Sequence, residues 1–140
     1  MSEGDFIYVL GFPMGIMAPD RQYVISRTGI IARLRDALER TNNDFMIDSM
    51  IFPGNSGGPV INKPEIISIE GTNSVPSPYL IGIIASYLTY TDTAVSKQTG
   101  QSRVVFEENS GLAVVIPADY VLETIDICFA TANIKEAICQ

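Results

Sequence analysis

The sequence contains no histidine and no tryptophan, and only two cysteines in 140 residues. Without histidine the chain has no imidazole to accept a proton or hold a metal. Cys128 and Cys139 lie near the C-terminus, too few for a disulfide scaffold and without companions for a metal site. They read as free or buried thiols, or as one local disulfide. Basic residues are also scarce, nine against sixteen acidic, for a net charge of −7. Neutralising phosphates takes the opposite balance, so no nucleic-acid partner is expected. Five of the basic residues, Arg21, Arg27, Arg33, Arg35 and Arg40, fall in one stretch, which reads as solvated loop and strand-edge charge rather than a basic binding face. No apolar run is long enough to span a membrane, and no membrane partner is expected. The opening Met1-Ser2-Glu3-Gly4-Asp5 is polar and acidic, unlike a signal peptide.

The apolar fraction is 46%, ample for a core built on Leu, Ile and Val. The length predicts a single domain over residues 1–140, with a barrel over 1–117 and a helical segment over 118–140. Asp5 to Phe12 reads as a buried strand ended by Pro13 and Gly15. A chain that opens on a core strand is expected to have been cut from something longer. Tyr23 to Leu34 is the next strand region, with Gly29 marking a bulge or bend. Arg33 to Arg40 reads as a loop holding one helical turn. Phe45 to Met50 and Val60 to Asn62 are strands, and Ile66 to Ile69 is a short one. Tyr79 to Tyr90 is the longest β-favouring run. Thr91 to Asn109 is polar and reads as a long surface loop, with Arg103 to Phe106 an edge strand inside it. Gly111 to Ile116 is the last core strand, stopped by Pro117. From Asp119 the spacing of Tyr120, Val121, Ile125 and Phe129 predicts a helix, with Asp119 at its cap or first turn. A second helical segment is expected over Ile134 to Ile138. Many strands with glycine-marked bends, followed by one helix, predict an all-β antiparallel barrel with a C-terminal α-helix.

One stretch stands out, Phe52-Pro53-Gly54-Asn55-Ser56-Gly57-Gly58-Pro59-Val60-Ile61. Glycines let its backbone turn sharply, and small neighbours leave the Ser56 hydroxyl accessible. The amides of Gly54 and Ser56 are close enough in sequence to face one developing oxyanion. The bland reading is a tight turn between strands that happens to contain serine, since Gly, Pro, Asn and Ser are the commonest turn residues. Pro59 and the β-branched Val60-Ile61 lead into a strand, which disfavours the elbow of an α/β hydrolase, where a helix follows. No Gly-Lys-Ser/Thr follows the glycines, so a phosphate loop is excluded. No cofactor is implied.

The chain resembles the C-terminal half of trypsin-like serine proteases, and the HtrA-like branch in particular. Residues 4–15 look like the opening strand and turn of that half, and Thr28 to Ala32 like the next strand. Asp48 to Pro59 matches the nucleophile loop closely. Leu80-Ile81-Gly82-Ile83 and Gly111 to Pro117 look like the two strands after it. The resemblance implies a six-stranded chymotrypsin-type barrel, with Ser56 as nucleophile and Gly54, Asn55 and Ser56 forming the oxyanion hole. It implies a polypeptide substrate that adds as a β-strand along Ile83, Ile84, Ala85 and Ser86. The side-chain pocket would lie between that strand and Met50 and Ile51, and no Asp stands there to receive a basic side chain. A small or medium apolar side chain is therefore expected at the cleaved position. Asn55 replaces the Asp that many secreted relatives use to bind a new N-terminal amine, so no such activation is implied.

The same family places the triad's His and Asp on a first barrel, which this chain lacks. A serine hydroxyl needs a base, so Ser56 alone is expected to be inert. Two readings follow. The chain is the nucleophile half of a serine endopeptidase whose partner is the missing N-terminal barrel, or it is a non-enzymatic peptide-binding module. An esterase or acyl transferase using the same loop is a third. A half-domain also exposes apolar surface, so self-association is expected.

Overall fold

The computed structural model describes residues 1–16, 20–21, 23–64 and 76–132. The expected strand at 66–69 and helix at 134–138, together with Cys139, lie outside them. Six strands close into an antiparallel barrel in the order β1-β2-β3-β6-β5-β4. They are β1 (Phe6–Gly11), β2 (Ile25–Arg33), β3 (Phe45–Asp48), β4 (Pro59–Asn62), β5 (Leu80–Val95) and β6 (Ser102–Pro117). A single helical turn, α1 (Arg35–Leu38), joins β2 to β3, and a 3-10 turn at Pro13–Gly15 follows β1. The chain continues from β6 into a helix, α2 (Ala118–Ala132), whose first turn carries Asp119.

Alternation sets the core. In β1, Ile7, Val9 and Gly11 point inward while Phe6 faces out, as a period of two requires. They meet Ile31 and Leu34, Phe45 and Ile47, Val60, Ile81 and Ile84, and Ala113 and Val115, all buried. Ile51, just ahead of the serine loop, joins the same cluster. The irregularity expected at Gly29 is not there. Gly29 pairs regularly with Ile7, and the register of β2 shifts between Ile31 and Arg33 instead.

The largest departure from the sequence reading is at the polar stretch 91–109. β5 and β6 remain paired through it, from Thr89 opposite Asn109 to Val95 opposite Ser102. The result is a two-stranded arm of exposed residues extending past the barrel. The polarity misled because Thr91, Thr93, Val95, Val104 and Val105 are β-branched, and that shape favours strand whether or not the side chain is buried.

Three of the five clustered arginines are engaged by other groups of the fold. Arg33 pairs with Asp36 and Arg35 with Glu3, while the Arg27 guanidinium lies 4.9 Å from the centre of the Phe52 ring. Glu3 also accepts the Leu34 amide at 3.2 Å. That hydrogen bond, more than the nearby Arg35 charge, holds the Glu3 carboxyl below its usual range.

Candidate functional site

The site is two turns placed back to back between β3 and β4. In the first, Phe52-Pro53-Gly54-Asn55, the Asn55 amide donates to the Phe52 carbonyl at 3.0 Å. Proline sits second, and Gly54 sits third with φ +96, the arrangement of a type II turn. In the second, Asn55-Ser56-Gly57-Gly58, the Gly58 amide donates to the Asn55 carbonyl at 2.9 Å and Gly57 has φ +77. Ser56 occupies the exposed crest.

Two bonds fix the orientation of the amides that matter. The Pro53 carbonyl accepts the Met14 amide at 2.6 Å. A trans peptide is planar with its C=O and N–H opposed, so the Gly54 N–H must point away from Met14. By the same rule, the Asn55 carbonyl is held by Gly58, which turns the Ser56 N–H outward. Neither amide donates to another described residue. Among the described residues both amides are unengaged donors, within two residues of the exposed Ser56.

Asn55 is the loop's anchor. It is fully buried, and its Oδ1 accepts the Phe52 amide at 3.3 Å. Asn55 and Phe52 thus exchange two hydrogen bonds across the first turn. The Nδ2 of Asn55 has no hydrogen-bond partner among the described residues. It lies over Gly11, where a methyl group would come within 2.6 Å of it. A methyl on Gly54 would overlap the Phe12 carbonyl, and one on Gly58 the Leu10 carbonyl. β1 and the serine loop therefore touch backbone to backbone, which only glycine permits.

The remaining predicted residues divide by exposure. Met50 is 48% exposed, whereas Ile51 is 1% exposed and lies in the core. Ile83 pairs with Pro59 on one side and Ile116 on the other. Ile84 is buried, its amide donating to Gly58 and its carbonyl accepting from Gly57, at 2.9 and 2.8 Å. Ala85 and Ser86 are exposed and lie beyond the last β4 pair. The β5–β6 register shifts between Ile84 and Ser86. Met50, Ala85 and Ser86 are thus the members of the predicted set that could meet a ligand by their side chains or an open strand edge.

One contributor was not anticipated. Asn109 donates from Nδ2 to the Ile51 carbonyl and accepts the Gly111 amide at 2.8 Å. It ties the segment before the serine loop to β6, 58 residues away in sequence. The Asn-Ser-Gly run at 109–111 was the local signal, a turn signature inside an otherwise strand-like stretch. Among the described residues no group of three His, Cys, Asp or Glu side chains could hold a metal. No helix among them is long and apolar enough to cross a membrane.

In comparison with known proteins, no protein-family model matches the chain, and no curated protein matches it. What stands is a closed six-stranded antiparallel β-barrel with a C-terminal helix.

Proposed function

We propose that the chain is the nucleophile half of a trypsin-like serine endopeptidase of the HtrA-like kind. The observation that carries this reading is the serine loop, in which Ser56 is exposed and the amides of Gly54, turned away from Met14, and of Ser56, turned outward, donate to no other described residue. Ser56 Oγ would attack the scissile carbonyl and form an acyl-enzyme. The two amides would take the charge that develops on the carbonyl oxygen, without having to reorganise. Asn55 would hold the loop in shape from below, with no charge of its own to be neutralised. Substrate would extend along Ala85 and Ser86, with its side chain against Met50, a site suited to an apolar group. The antiparallel barrel supports the same reading.

The base must come from outside, because the chain has no histidine. The partner would be an N-terminal barrel that brings an imidazole to Ser56 and a carboxylate to orient it. The test is a polypeptide in which the upstream coding sequence is joined to this chain. Peptide cleavage lost on Ser56→Ala is the expected result. Cleavage that survives Ser56→Ala, or its absence from the joined protein, would overturn the proposal.

The missing base also favours a second reading, a peptide-binding module. It predicts that extended peptides bind along Ala85–Ser86 without being cut, in the joined protein as in this chain.

A further inference from the structure

Among the described residues the outer edge of β6 is unpaired along the arm. β3 leaves β6 at Leu112, and among the described residues no other strand pairs with that edge between Ser102 and Glu108. The edge reads Arg103-Val104-Val105-Phe106-Glu107-Glu108. Val104, Val105 and Phe106 are 50%, 63% and 49% exposed. A free edge with apolar side chains is a template for another strand, and a two-stranded ribbon alone is only marginally stable.

The order of the side chains says which strand. In an antiparallel pair, opposed residues share a face and turn their backbone groups the same way. A two-fold pairing of β6 with its own copy must therefore place one residue opposite itself. With Val105 on the axis, Arg103 falls opposite Glu107 of the second copy and Val104 opposite Phe106. Symmetry makes each match twice. With Val104 on the axis, Arg103 would face Val105. With Phe106 on the axis, Val104 and Val105 would face Glu108 and Glu107. The central register alone sets charge against opposite charge and apolar against apolar.

The groups are ready for it. Arg103 is exposed and has no ion pair among the described residues. Glu107 accepts the Thr89 hydroxyl on Oε1 at 2.8 Å, which steadies the carboxylate and leaves Oε2 open. Edge charges of a single sign would repel a second copy. Here the two signs stand two residues either side of Val105, so an antiparallel copy meets each with its opposite.

We infer that two copies of this chain associate through the β6 edges of their arms, antiparallel about Val105, to make one four-stranded sheet. This surface is separate from the serine loop, and the inference stands whether or not Ser56 is a nucleophile.

Sedimentation of the full chain over a concentration series tests it. The parent should dimerise, less tightly as salt rises. Arg103→Glu and Glu107→Arg should each weaken the dimer at least about tenfold, because two like-charge contacts replace two opposite ones. The double variant R103E/E107R should return to within about threefold of the parent, since it restores both pairs in reverse. As a second measurement, Val105→Cys in a Cys128→Ser/Cys139→Ser background should oxidise to a disulfide-linked dimer, and Thr93→Cys should not. A parent that stays monomeric, a dimer indifferent to the single variants, or losses that the double variant does not repair would overturn the inference. So would a monomer whose β6 edge binds an unrelated extended peptide instead.

Discussion

The serine loop and the β5–β6 arm are both exposed, yet they are built on opposite terms. At the loop, backbone meets backbone. Gly11, Gly54 and Gly58 lie against Asn55, Phe12 and Leu10 with no room for a methyl group, and Ile51 and Ile84 on either side are core residues. In the arm, the strands pair only with one another among the described residues, and Leu88, Tyr90, Val95, Val104, Val105 and Phe106 are all at least 38% exposed. The loop presents a fixed arrangement of donors, while the arm presents an unfilled edge. A rigid scaffold under an exposed polar group suits chemistry; a ribbon with an open apolar edge suits association.

That contrast can be broken most severely at Gly54. Gly54→Ala requires a side chain at φ +96 and against the Phe12 carbonyl, so we expect a loss of about 3 kcal/mol or more in denaturant unfolding. Ile47→Ala should cost about 2–5 kcal/mol, as for other fully buried aliphatic residues. Asn55→Ala leaves the Phe52 amide without its buried acceptor and should cost about 1–3 kcal/mol. By contrast, Val105→Ala on the arm should change the monomer's unfolding by about 0.5 kcal/mol or less. If the Ile47 and Val105 variants lose equally, the arm is part of the core and the comparison fails.

The smallest effect is in pH. The hydroxyl of Tyr90 donates to the Glu108 carboxylate, and this bond, reinforced by the nearby charge, raises the Tyr90 pKa above its usual value. The folded value exceeds the unfolded one, so the contribution is present below the unfolded pKa near 10 and fades as pH rises through the folded value. Phenolate absorbance of the parent and of Glu108→Gln should show one tyrosine titrating later in the parent. Superimposable curves would remove this contact from the arm.

The barrel was legible because its inward residues alternate, as at Ile7 and Val9, and its turns carry Pro and Gly at fixed positions. The serine loop was legible for the same local reason: Pro53-Gly54 specifies a turn before any tertiary contact forms. The arm was not, because Thr-rich segments read as loop by polarity while their branching favours strand. Nor was the split between Met50 and Ile51 legible, since alternation fails in an irregular segment. Ile84 looked available on an edge strand, but two glycine backbones of the serine loop occupy its amide and carbonyl. The Asn109 clamp spans 58 residues, and no local pattern announces a contact of that range.

The central claim is that the chain carries a formed serine site that lacks its base. Exposure of the isolated 140-residue chain to a fluorophosphonate, read by intact mass, tests it most directly. We predict that the chain alone stays unmodified, whereas a polypeptide that joins it to the proposed N-terminal barrel gains a single adduct on Ser56. Stoichiometric labelling of Ser56 in the isolated chain would contradict the account, as would a joined protein that takes no label.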